Sequence, residues 1–80
     1  MKVVYKEPYS FLLIQDGEDW YLTFFTGGPV ELDICVKLTS DEVSRIQSSK
    51  EETAKLAQEF QQDRSLFEGR RVIPSVRPVH

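Results

Sequence analysis

The sequence predicts an α+β domain: an antiparallel three-stranded meander, then two C-terminal helices packed on one face of it. Three observations predict this. From Val30 to Leu38 the chain alternates without a break, with Val30, Leu32, Ile34, Val36 and Leu38 in one phase and Glu31, Asp33, Cys35 and Lys37 in the other. Strand side chains point alternately to opposite faces, so one face of this segment lies on a core. It runs into Thr39-Ser40-Asp41-Glu42, a hydroxyl residue followed three positions later by a glutamate, which is the capping-box start of a helix. Upstream, two segments rich in aromatic and aliphatic residues flank Asp16-Gly17-Glu18-Asp19, the pattern of a hairpin.

The first two strands are expected over Tyr9 to Gln15 and Trp20 to Thr26. A four-residue loop sets Gln15 opposite Trp20, Leu13 opposite Leu22 and Phe11 opposite Phe24; a turn of Asp16-Gly17 alone slides the register by two. Either way Tyr9, Phe11, Leu13, Trp20, Leu22 and Phe24 share one face. The next connection follows from parity. Pairing Thr26 with Pro29 would put Leu22 and Phe24 on the face of Glu31 and Asp33 and bury charge. A three-residue loop, Gly27-Gly28-Pro29, instead sets Thr26 against Val30, Phe24 against Leu32 and Leu22 against Ile34. Glycine supplies the positive φ that such loops need.

Val43, Ile46 and Gln47 give a short first helix one docking flank. Ser48-Ser49-Lys50-Glu51-Glu52 reads as a break and a second N-cap, with Ser49 and Glu52 in capping-box spacing. Thr53, Leu56, Ala57 and Phe60 then form a stripe at helical spacing. Glu51 and Lys55 make an i,i+4 pair worth about 0.3 kcal/mol. Gly69 suits a stop, and Arg71-Val72-Ile73 is available as a short fourth, edge strand. The domain is expected over residues 1–73, with 74–80 a loose tail. The expected core holds Trp20, Leu22, Phe24, Leu32, Ile34, Val36, Val43, Leu56 and Phe60.

Composition bounds the chemistry. Eighty residues, 40% hydrophobic, with five Phe, three Tyr and one Trp, describe one small globular domain with little core to spare for a deep cavity. Cys35 is the lone cysteine and His80 the lone histidine, at the last position, so a Cys–His pair is not expected. Asp16, Glu18 and Asp19 do not match a calcium-loop spacing. Gly27-Gly28 leads to a strand, not a helix, and is no phosphate cradle. No catalytic residue, metal or cofactor is expected. With a single thiol, no long apolar segment and no leader-like start, a cytoplasmic protein is expected. Residues 1–63 carry twelve acids against six bases, whereas 64–80 carry four arginines against Glu68. The acidic body argues against nucleic-acid binding.

One surface remains. On the face opposite the helices, Leu12, Ile14, Tyr21 and Phe25 converge on two paired strands, and Glu31 and Asp33 border them, an apolar centre with an acidic rim of the kind that binds proteins. Residues 2–6 as a strand, or the C-terminal tail, are the competing cover for that face. The order of hairpin, amphipathic strand, capped helix and second helix, carried by Leu38-Thr39-Ser40-Asp41-Glu42, Leu56-Ala57 and Phe67-Glu68-Gly69-Arg70-Arg71, resembles that of small stand-alone bacterial immunity proteins. The resemblance implies a non-enzymatic inhibitor that masks a toxin's active site with an acidic surface. The alternative expectation is a homodimeric structural or regulatory protein that self-associates through the Leu12–Phe25 face.

Overall fold

Gly17 adopts φ +63°, the left-handed conformation that a two-residue hairpin turn requires, and the chain reverses between β2 (Phe11–Asp16) and β3 (Asp19–Phe25). The computed structural model of the protein describes residues 2–7, 10–25 and 33–72. Phe11 faces Phe24, Leu13 faces Leu22 and Gln15 faces Trp20, the register expected for the longer loop, but Asp16 also pairs with Asp19, so only Gly17 and Glu18 turn. Tyr9, placed at the start of the first strand, lies outside the described residues.

The sheet has five strands, not three. β1 (Lys2–Glu7) pairs antiparallel along β2, and β5 (Arg71–Val72) pairs antiparallel with β4 (Asp33–Lys37), giving the order β1-β2-β3-β4-β5. Residues 2–6 therefore lie beside the sheet as an edge strand instead of across its second face. The physical reason is visible at Val3-Val4-Tyr5. A bulge between Val3 and Tyr5 breaks the alternation that would have marked a strand, and it lets both Val4 and Tyr5 pack against the core. The short edge strand expected at Arg71-Val72-Ile73 forms over its first two residues; Ile73 lies outside the described residues.

The register of β3 with β4 also differs from expectation. Phe24 faces Ile34 and Leu22 faces Val36, two residues further along than the three-residue loop would set them. A slide of two keeps every side chain on its face, so the burial argument that fixed the parity is blind to it. The proposed partners Val30 and Leu32 lie outside the described residues.

α1 (Ser40–Ile46) and α2 (Lys50–Gln62) follow. At α1 the capping box closes in both directions: Glu42 N–H donates to Thr39 Oγ1 (3.2 Å) and Thr39 N–H donates to Glu42 Oε1 (2.9 Å). At α2 only half of the box forms. Glu52 N–H donates to Ser49 Oγ, but the Glu52 carboxylate turns to Arg45 (3.1 Å) and Lys55 (3.5 Å). Arg45 also reaches Glu59 (2.6 Å), so one α1 guanidinium spans two carboxylates seven residues apart on α2. Buried Thr53 completes the corner by donating to the Ser49 carbonyl (2.9 Å).

The core lies between one sheet face and the helices. Phe11, Leu13, Leu22, Phe24, Ile34 and Val36 pack against Ile46, Leu56, Ala57 and Phe60. Burying each such side chain contributes about 1.5–3 kcal/mol. Phe67, at the end of a 3-10 turn (Arg64–Phe67), is a core residue that the helical stripe did not include; it meets Phe24 at 5.6 Å and Phe60 at 5.4 Å between ring centroids, both edge-on. Trp20 and Val43, expected in the core, are half-buried at its margin.

Arg70 ties the last strand to the helix start. Its guanidinium takes both Glu42 oxygens (2.6 and 3.2 Å), the Lys37 carbonyl (3.1 Å) and the Leu66 carbonyl. Gly69, at φ +83°, makes the turn that brings Arg70 there.

Candidate functional site

Cross-strand pairing brings together most of the residues singled out from the sequence. Leu12 faces Thr23 and Ile14 faces Tyr21, while Phe25 faces Asp33, all on the sheet face turned away from the helices. Leu12, Tyr21, Phe25 and Asp33 are each partly exposed there. Ile14 is 0% exposed and so presents no surface to a partner. Glu31 lies outside the described residues. On β4 the neighbour of Tyr21 is Lys37, not an acid.

The middle of this face is closed. Cys35 is 0% exposed and Thr23, directly opposite it, 3%. Among the described residues the Thr23 hydroxyl has no hydrogen-bond partner, a standing cost for a buried polar group. Burial this complete on the second face was not legible in the alternation of β3 and β4, because Thr23 and Cys35 are residue types compatible with either surroundings. The partly exposed residues Leu12, Tyr21 and Phe25 therefore border a packed centre.

At the end of the sheet the β2–β3 turn exposes three carboxylates. Asp16 and Asp19 are directly opposed across the hairpin, and Glu18 sits in the turn between them. Like charges in opposed positions destabilise a strand pair. Lys37 reaches Asp19 at 3.5 Å and offsets part of this, with both side chains about half exposed. Among the described residues Asp16 and Glu18 have no ion-pair partner.

Beside this turn an open groove of about 450 Å³ runs between the hairpin end and α1. Trp20, Leu38 and Val43 form its apolar part, and Glu18, Ser44 and Gln47 contribute polar groups. The Leu38 N–H donates to the Trp20 carbonyl at 2.9 Å, which fixes the strand end against the β4–α1 link. Phase alone places Trp20 in the core. Its position marks it as marginal, since Trp20 is the first apolar residue after the turn, at the end of the sheet.

Among the described residues no cluster of three His, Cys, Asp or Glu side chains is arranged to hold a metal ion, and no helix is long and apolar enough to cross a membrane. Comparison with family models, with curated proteins and with solved structures finds no match to this chain.

Proposed function

We propose that this chain is a non-enzymatic protein-binding module of the immunity type, acting in the cytoplasm by covering a basic toxin domain with an acidic and aromatic surface. One observation carries the reading: Asp16 opposite Asp19, with Glu18 between them, at the exposed end of the sheet. Folding alone favours opposite charges in opposed strand positions. An arrangement that costs stability and leaves two carboxylates unpaired among the described residues is what a surface selected for a cationic partner would carry, since such charges accelerate encounter and fix orientation. Partly exposed Tyr21 continues that surface two residues along β3 on the same face as Asp19, with Phe25 beyond it.

The test is growth rescue. Products of genes adjoining the one for this chain are expressed in a bacterial host, alone and together with it. The expected result is one toxic, basic product whose toxicity this chain relieves. Asp16→Lys should lose that relief while the purified variant unfolds at slightly higher denaturant. Failure to find a toxic neighbour, or rescue that Asp16→Lys and Tyr21→Glu leave intact, counts against the reading. A concentration-dependent dimer that Tyr21→Glu or Phe25→Glu converts to a folded monomer would assign the face to self-association instead.

A further inference from the structure

We infer that the groove between the β2–β3 turn and α1 receives a basic side chain, an arginine or a lysine, from a protein partner. The inference rests on the protein-binding reading and adds the residue type that this groove takes. Trp20 is half-buried in the groove, and an indole face is the aromatic surface that attracts a cation most strongly. Leu38 and Val43 beside it offer apolar contact to the methylene stem that lysine and arginine carry below their charge. The charge balance of the rim points the same way. Among the described residues Lys37 is the one cation lining the groove and is held by Asp19, whereas Glu18 is unpaired, so the uncompensated charge there is negative. The positive end of α1 does not reverse this: Arg70 neutralises Glu42, but Thr39 caps the helix and Asp41 places an acid in its first turn. Ser44 of α1 and Gln47, at its C-cap, carry side-chain oxygens able to accept the remaining N–H groups of a guanidinium. A carboxylate or phosphate would face Glu18 with like charge, and a purely apolar side chain would cover that carboxylate without pairing it.

Trp20 is the chain's single tryptophan, so its emission reports on the groove directly. The probes are an acetylated Ala-Arg-Ala amide, its citrulline twin, which keeps the shape without the charge, and an Ala-Glu-Ala peptide, all at one ionic strength. A saturable change in emission is expected with the arginine peptide. Glu18→Gln should weaken that binding about threefold, the scale of an exposed charge pair. The citrulline twin should bind more weakly still, because it loses both the ion pair and the cation–ring contact. Glu51→Gln, on the exposed side of α2, should leave binding unchanged. No saturable response overturns the inference, as does an equal response to the citrulline or glutamate peptide, or a response indifferent to Glu18→Gln. The readout needs no toxin. A groove that binds the arginine peptide supports the inference whether or not growth rescue succeeds, and a silent groove overturns it even where rescue holds.

Discussion

Arg70 and Glu42 show how much of this small domain hangs on single side chains. The Arg70 guanidinium meets two carboxylate oxygens and two backbone carbonyls, and so joins α1 to the turn before β5. Arg70→Ala should lower stability by about 1–3 kcal/mol, between the values for exposed and buried ion pairs. Arg70→Lys should recover only part of that, because an ammonium cannot span the same four acceptors. Urea midpoints of the two variants check both statements. Burial by itself would raise the pKa of Glu42, but the Arg70 hydrogen bond, the Thr39 amide and the Arg70 charge outweigh it and hold the carboxyl below its ordinary value. A folded-state pKa below the unfolded one gives a contribution complete above about pH 4.3 and lost as pH falls through the folded value. Stability should therefore fall on the acid side, and Glu42→Gln should remove part of the fall. Arg45 lowers the pKa of Glu52 and of Glu59 in the same sense, so some acid dependence should remain. Thr23 predicts the opposite sign of effect. Its hydroxyl is buried without a partner among the described residues, so Thr23→Val, which keeps the shape, should stabilise the protein by about 1 kcal/mol. A destabilised Thr23→Val would mean that the hydroxyl is solvated or bonded in solution.

Among the elements, the 3-10 turn has a role out of proportion to its four residues. It packs Phe67 against Phe24 of β3 and Phe60 of α2, which also meet each other, and it delivers the chain to Gly69 and Arg70. Phe67→Ala should cost about 3–5 kcal/mol, comparable to truncating a residue of β3. A loss below about 1 kcal/mol, the scale of a surface change, would place the turn outside the cooperative unit. The caps rank unequally for a structural reason. Thr39 completes a reciprocal box, and its glutamate is also held by Arg70, whereas Ser49 accepts a single bond. Thr39→Ala should therefore destabilise more than Ser49→Ala, with each near the usual 0.5–2 kcal/mol for a lost cap, here about twofold apart. The capping box at Thr39 was legible in four consecutive residues because it is a local contact. The turn's role was not, because Phe67 acquires it only by meeting residues forty-three and seven positions earlier in the chain.

For the molecule as a whole, two closed faces on one sheet set the accessibility of its thiol. Cys35 is fully buried in β4, flanked by Thr23 of β3 and Val72 of β5, on the side away from the helices. Modification of Cys35 by a disulfide reagent should be slow in the folded protein and should accelerate with urea in parallel with global unfolding. Rapid modification without denaturant would show instead that this face opens locally. The charge distribution makes a second whole-molecule prediction. The unpaired acids at the hairpin end should make association with a basic partner slower as salt rises, with little change in dissociation rate. Stopped-flow measurements at two ionic strengths distinguish this from binding through the apolar rim, which salt leaves nearly unchanged.

The sequence by itself determined which residues share a face. Period-two alternation in Asp33–Lys37 and the hydroxyl–glutamate cap at Thr39 are patterns within a few residues, and each forms where local chemistry puts it, whereas the hairpin turn at Gly17 lies one residue further on than the Asp-Gly pair suggests. The tertiary structure alone decided the number of strands, the β3–β4 register and the fate of the second face. β1 is marked by pairing with β2 and not by its own pattern, since its bulge at Val3-Val4-Tyr5 erases the alternation. The register could slide by two without moving any side chain to the wrong face, so only the contacts actually made select Phe24 against Ile34. Ile14, Thr23 and Cys35 are compatible with either solvent or packing, and their burial depends on what the folded chain lays around them. Local patterns specify direction because side-chain geometry repeats along the backbone; partners separated in sequence are chosen by packing, which no short stretch of residues contains.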